Sequence, residues 1–79
     1  MKLTVDKEAN AVYLQLADAA FKEMRKIAPN LNYDYSTDGR VIGIEVLQAR
    51  TWFGELDGLT EDEVISRVLM VQNPPELAA

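Results

Sequence analysis

Three carboxylates around one predicted turn are the residues best placed to carry chemistry. Asp38 belongs to the turn dipeptide Asp38-Gly39, and Asp34 and Glu45 lie on either side of it. Paired carboxylates can bind a hard cation or transfer protons. The turn itself explains Asp38, however, and Asp34 and Glu45 fall on strand positions where solvated side chains are expected. We therefore predict that none of the three is a catalytic residue or a metal ligand.

The composition narrows the chemistry further. The chain has 79 residues and contains no histidine and no cysteine. Ser–His and Cys–His nucleophile pairs and zinc–thiolate sites are therefore excluded. The acidic stretch 55–63 does not follow a calcium-loop pattern, because Leu59 stands where an EF-hand counted from Asp57 needs an oxygen ligand. We expect no metal and no cofactor.

Two predicted β-hairpins position these residues. Residues 2–6 and 11–16 alternate apolar and polar side chains, which is typical of half-buried strands. Residues 31–36 alternate in the same way and lead into Asp38-Gly39, a dipeptide typical of type I′ hairpin turns, in which both central residues have positive φ. Residues 41–47 then predict the returning strand.

The returning strand has apolar residues on both faces, which indicates a central position in the sheet. Gly43 leaves room for a close neighbour there. We expect Ile42, Ile44 and Val46 on one face and Val41, Gly43, Glu45 and Leu47 on the other.

Residues 21–28 are compatible with either a helical turn or a charged edge strand. Helix propensity favours the helix. The shortness of the segment and its alternating charges favour the strand, because lysine on an exposed edge discourages unwanted pairing. We predict a strand, and the helix remains the alternative.

The last third of the chain predicts one helix, residues 60–72. Thr60 and Glu63 have the spacing of a capping box. An apolar stripe follows on one face of this helix, and the tail 73–79 is expected to be frayed. The predicted fold of residues 1–79 is a single α+β domain. It contains a small antiparallel β-sheet of four to five strands, built from two hairpins, with the C-terminal helix packed on it.

Three stretches of this sequence resemble a known family. The runs MKLTVDKEANAVYLQL (1–16), APNLNYDY (28–35) and DGRVIGIEVL (38–47) are similar, in order and spacing, to the bacterial domain of unknown function 2283. The resemblance covers about residues 1–50 and implies a compact antiparallel sheet. Its members are small bacterial or phage proteins without an established activity, and some are described as antitoxins because a small putative toxin is encoded beside them. The resemblance implies no catalytic residues.

The net charge of −5 lies wholly in the second half of the chain. Such an acidic protein lacks the electrostatic attraction that drives nucleic-acid binding, so we expect no nucleic-acid partner. No apolar run is as long as a membrane-spanning helix, and charged residues interrupt the N-terminal segment before an apolar run of signal-peptide length can form. We therefore expect a cytoplasmic protein without membrane contact. A basic protein partner is the expectation that the acidity favours.

Two functions remain open at this stage. The first is a non-enzymatic protein-interaction module, which the acidic second half, the amphipathic helix and the missing catalytic residue types favour. We expect it to be homodimeric, because a small core gains from self-association, and the family resemblance implies an antitoxin-like role. The second is a small-ligand-binding or carboxylate-based enzymatic domain with a pocket lined by Tyr33, Tyr35, Glu45 or Trp52. The residues predicted to contact a partner or a second copy are Trp52, Phe53, Val41, Leu47, Val64 and Val68.

Overall fold

The computed structural model describes residues 1–72, which form a five-stranded antiparallel sheet with a helical cover. All neighbouring strands are antiparallel, in the order β1-β2-β5-β4-β3. The α+β fold predicted from the sequence is therefore confirmed, and residues 21–28 are a strand. The strands are β1 (Lys2–Asp6), β2 (Ala11–Gln15), β3 (Phe21–Ala28), β4 (Leu31–Ser36) and β5 (Val41–Leu47).

One side of the sheet, which we call the helix face, carries the core. Val5 pairs with Val12, Val12 with Val46, and Val46 with Leu31, so one apolar row crosses four strands. The parallel row joins Leu3, Leu14, Ile44 and Tyr33. Because successive residues of a strand point to opposite sides, the intervening residues lie on the other side, which we call the polar face.

Two helices and a 3-10 turn cover the helix face. These elements are α1 (Ala49–Phe53), the turn Leu56–Gly58, and α2 (Glu61–Gln72). Val64, Val68 and Val71 of α2 are buried in the same cluster as the core strands, so the predicted apolar stripe is confirmed. The predicted tail 73–79 lies outside the described residues. Among residues 1–72 there is no helix of the length and apolar character needed to cross a membrane.

The start of α2 is fixed by the predicted capping box. The Glu63 backbone N–H donates to Thr60 Oγ1 at 3.2 Å, and the Thr60 backbone N–H donates to Glu63 Oε1 at 2.9 Å. The carboxylate is held in its charged form by this hydrogen bond to the Thr60 backbone N–H, which lowers the pKa of Glu63. Thr60 therefore ends the preceding loop and begins the helix.

Helix α1 was not expected from the sequence, and a distant loop holds its first turn. Asn10, at the end of the β1–β2 loop, has φ 55°. Its carbonyl oxygen accepts the Ala49 backbone N–H at 2.9 Å, and its side-chain Oδ1 accepts the Arg50 backbone N–H at 2.9 Å. The last residue of α1 is bound to α2, because the Arg67 side chain donates a hydrogen bond to the Phe53 carbonyl at 2.9 Å.

The hairpin at Asp38-Gly39 is present, but its turn is not type I′. Gly39 has φ 86°, whereas Asp38 is not among the described residues with positive φ. The Gly39 N–H donates to the Ser36 carbonyl, and the Ser36 N–H donates to the Arg40 carbonyl at 2.9 Å. This arrangement is a three-residue loop with glycine in the left-handed position, the next most common hairpin connection.

A register shift in the β4–β5 pairing changes the predicted faces of β5. Asp34 pairs with Gly43, but Tyr35 pairs with Val41, so one residue of β5 is skipped. Val41 was expected on the face opposite to that of Ile44, but it packs against the core cluster. Ile42 was expected on the same face as Ile44, but it is buried outside that cluster. Leu47 stays outside the core cluster, as the simple alternation predicted.

Candidate interaction surface

The outer strand β3 has the most unusual surface in the described part of the chain. One of its two sides pairs with β4, and no described strand pairs with the other. Among residues 1–72, six large apolar side chains are exposed, and three of these lie on β3. Phe21 is 59% exposed, Met24 53% and Ile27 37%. We call the outer side of this strand, with these three side chains, the β3 edge.

Charged side chains alternate with the apolar ones along the β3 edge. Glu23 accepts a hydrogen bond from Arg25 at 2.8 Å, which lowers the pKa of Glu23 and raises the pKa of Arg25. The Arg25 guanidinium also lies 4.8 Å from the centre of the Tyr35 ring, within range of a cation–π contact. Both charged groups are exposed, so they can exchange this pairing for one with another chain.

The opposite edge of the sheet is different. Strand β1 has five residues, and its exposed side chains are Lys2, Thr4 and Asp6. Its two apolar side chains, Leu3 and Val5, pack against the core cluster. Of the two edges that the sheet has among residues 1–72, only the β3 edge therefore combines an unpaired backbone with strand residues that expose large apolar side chains.

The polar face gathers the carboxylates that the sequence placed near the second hairpin. The Tyr13 hydroxyl donates to Asp34 Oδ2 at 2.8 Å, and Asn32 Nδ2 donates to Glu45 Oε1 at 2.9 Å. Asp34 and Glu45 were expected to be solvated, but both are half-buried and hydrogen-bonded across neighbouring strands. Among the described residues, every buried side-chain nitrogen and oxygen has a partner.

Tyr13 lies against Gly43 and is a poor candidate for catalysis. A Cβ atom at Gly43 would overlap the Tyr13 hydroxyl and ring edge, which confirms that this glycine admits a close neighbour. Burial, and then the hydrogen bond to Asp34, raises the pKa of Tyr13 to about 12. At neutral pH the phenol therefore remains protonated and acts as a hydrogen-bond donor.

Asp38 serves the hairpin turn, although through its side chain and not through the positive φ that a type I′ turn requires. Its carboxylate accepts the Ser36 hydroxyl, and Arg40 Nε donates to it at 2.9 Å. The hydrogen bond from Ser36, followed by that from Arg40, lowers the pKa of Asp38. Across residues 1–72, no three carboxylates come together as a possible metal site.

The six residues predicted to contact a partner do not form one surface. Phe53, Val64 and Val68 are buried in the core of the chain, where they join the helices to the sheet. Trp52 is 37% exposed on α1, and Val41 and Leu47 are half-buried on β5.

The apolar residues of β3 were missed, although their spacing carried a signal. Phe21, Met24 and Ile27 recur every third residue. That spacing is typical of a helix face, and in a strand it indicates apolar side chains that cannot all point into one core.

Comparison with known proteins identifies a family without an assigned activity. No curated protein and no solved structure matches the chain. One family model, described as a protein of unknown function (DUF2283), matches residues 2–50. The matched segment contains all five strands and the first two residues of α1. The chain therefore belongs to the DUF2283 family.

Proposed function

We propose that this chain is a non-enzymatic protein-interaction module that binds another chain by pairing a strand with the β3 edge. The observation that carries the proposal is the exposure of Phe21, Met24 and Ile27 on the unpaired outer strand. An added strand would satisfy the outward backbone groups of β3 and cover these side chains. Main-chain hydrogen bonds supply affinity in this mode of recognition, and side chains supply specificity.

The physical chemistry of sheet edges supports this choice. An exposed edge strand is a template for pairing, and proteins that avoid pairing use short strands, bulges or charges. Strand β3 carries four charged side chains, which discourage pairing, but it also has eight residues, the most of any strand here, and three exposed apolar side chains, which favour it. Its bulges are confined to the two ends, between Phe21 and Glu23 and between Lys26 and Ala28.

The enzymatic alternative has less support. Three concavities lined wholly by described residues contain none of the side chains expected to form a pocket. Tyr33 and Tyr35 are neighbours, with ring centres 6.4 Å apart, but Glu45 lies on the polar face and Trp52 on α1. The carboxylates of the polar face are engaged in hydrogen bonds between strands.

An antitoxin-like role would require a separate surface for a basic partner. Strand β3 is itself basic, with Lys22, Arg25 and Lys26 against Glu23. Exposed acidic side chains lie instead in the first turn of α2, at Glu61 and Asp62. In our proposal a basic partner would therefore meet α2, and the β3 edge would pair with a strand.

The test combines solution mass with hydrogen exchange. Light scattering over a wide concentration range should show a mass that rises above the 8.9 kDa monomer. Backbone amides of β3 should become protected over the same range. Met24→Lys should reduce both effects, because it places a charge in the middle of the edge.

Met70→Lys is the matched control, because Met70 is a 72% exposed methionine on α2. It should leave the association unchanged. A chain that stays monomeric with exchanging β3 amides at every concentration, both alone and mixed with a cell extract, would refute the proposal. Equal effects of the two substitutions would refute it as well.

A further inference from the structure

The β3 edge restricts how a second copy of this chain could pair with it. We propose that two copies pair antiparallel through β3 about a two-fold axis at Met24, which joins two five-stranded sheets into one. This inference rests on the proposed function and adds the partner and the register.

Strand geometry limits the position of the axis. In an antiparallel pair, directly opposed residues point to the same face of the sheet. A two-fold axis perpendicular to a continuous sheet leaves each residue on the same face of the sheet in both copies. Residues of one strand that share a face are an even number of positions apart, so two residues opposed across the axis must be as well. The axis must therefore pass through a residue and not between two.

The bulges leave four residues of β3 in uninterrupted register, Glu23 to Lys26. An axis at Glu23, Arg25 or Lys26 would place a charged side chain opposite its own copy, and such like-charge pairs are destabilising. An axis at Met24 instead places two apolar side chains opposite each other. Met24 is the only one of the four without a charge.

The Met24 axis also makes the flanking charges complementary. It places Glu23 opposite Arg25 of the second copy, and Arg25 opposite Glu23 of the second copy. Both residues pair with tyrosines of β4 and so lie on the helix face, while Met24 pairs with Asp34 on the polar face. Each copy already holds the Glu23–Arg25 pair at 2.8 Å within one strand, and the dimer exchanges these two intrastrand pairs for two pairs between strands.

Towards the ends of the paired stretch, the same register brings Phe21 of each copy near Ile27 of the other. It also brings Lys22 towards Lys26 of the second copy. These two lysine pairs offset part of the gain from the two Glu23–Arg25 pairs, and solvent and salt weaken both kinds of contact because the groups are exposed. The paired stretch is short, which predicts a weak dimer that dissociates on dilution.

A charge-exchange experiment tests the register. Glu23→Arg alone puts two arginines opposite each other, and Arg25→Glu alone puts two glutamates opposite each other. Each variant should weaken its homodimer about tenfold, measured by sedimentation equilibrium. An equimolar mixture of the two variants should regain the wild-type affinity, because both opposed pairs are then Arg–Glu. Misfolding could not produce this recovery on mixing.

Cysteine cross-linking locates the axis independently. Since the chain has no native cysteine, Met24→Cys introduces the only thiol, and it should form a disulfide with its copy under mild oxidation. Lys22→Cys and Met70→Cys should cross-link far more slowly, because neither thiol meets its own copy.

The outcomes separate the two proposals. A wild-type chain that associates through β3 but shows no recovery on mixing, or no preferential Met24→Cys disulfide, refutes the register and leaves the proposed function intact. Association of β3 with a different protein while this chain stays monomeric also refutes the register. A wild-type chain with no association and exchanging β3 amides refutes both.

Discussion

The hydroxyl of Tyr13 reaches across Gly43 to donate a hydrogen bond to Asp34 at 2.8 Å. Three adjacent strands, β2, β5 and β4, are thereby joined on the polar face by one side chain. The contact depends on the missing side chain at Gly43, so the sequence requirement at that position is steric.

Gly43→Ala should lower the free energy of unfolding by about 1–3 kcal/mol, because the added Cβ displaces the Tyr13 ring from a packed position. Urea unfolding followed by circular dichroism measures the change. Gly58→Ala is the matched control, since a Cβ there meets no atom within 4 Å. If the two substitutions were equally harmful, the steric argument would fail. In a Tyr13→Ala background, Gly43→Ala should cost much less.

Tyr13→Phe should change the alkaline stability of the protein. The pKa of Tyr13 is raised from 10.0 to about 12 in the folded chain, so folding favours the protonated phenol. The stabilisation is complete below pH 10, the value for the unfolded chain, and is lost as the pH rises towards about 12. The variant should lack this loss, and unfolding midpoints measured at several alkaline pH values would show the difference. Parallel curves for the two proteins would contradict the prediction.

Thr60→Ala should destabilise the fold by about 0.5–2 kcal/mol, because it removes the side-chain acceptor at the start of α2. Ser66→Ala, at an exposed interior position of the same helix, should be close to neutral. The pKa of Glu63 is lowered in the folded chain, so its contribution is present above the usual value of 4.5 and is lost as the pH falls through the folded value. Glu63→Gln should flatten that acid-side loss, which thermal unfolding from pH 3 to pH 6 would detect.

Substitutions at Asn10 should separate its backbone role from its side-chain role. Asn10→Ala removes the acceptor for the Arg50 N–H and places alanine at φ 55°, so we expect a loss of about 1–3 kcal/mol. Asn10→Gly adopts the positive φ without strain but loses the side-chain acceptor for the Arg50 N–H. Asn10→Asp keeps a side-chain oxygen that can accept this hydrogen bond. Chemical unfolding should therefore rank the alanine variant below both others. An alanine variant as stable as the glycine variant would argue against strain at this position.

Local patterns predicted most of this fold. Alternation located the strands on either side of Asp38-Gly39, and the spacing of Thr60 and Glu63 located the start of α2. The strand at residues 21–28 was also predicted, although its apolar residues repeat with a helical spacing. The predicted type I′ turn was wrong, because the chain forms a three-residue loop that needs positive φ only at Gly39.

Features that depend on distant contacts could not be predicted in this way. Helix α1 has five residues, too few for local propensity to decide, and its first turn is held by Asn10. The placement of Val41 depends on a skipped residue in the pairing of β4 with β5. The edge position of residues 21–28 was suggested by their charges, but the exposure of Phe21 and Met24 was missed, because it depends on how β3 packs on β4 and on which strands the helices cover.

The contact of Asn10 with Arg50 also has a consequence for how the chain folds. It joins residues 40 positions apart, at the same place where Ala11 pairs with Leu47. The other three strand pairings join neighbours in sequence, so they close short loops at little entropic cost. We expect the pairing of β2 with β5 to limit the folding rate, with the β3–β4–β5 meander formed first. The β3 edge would then be ready to pair before the rest of the sheet is complete.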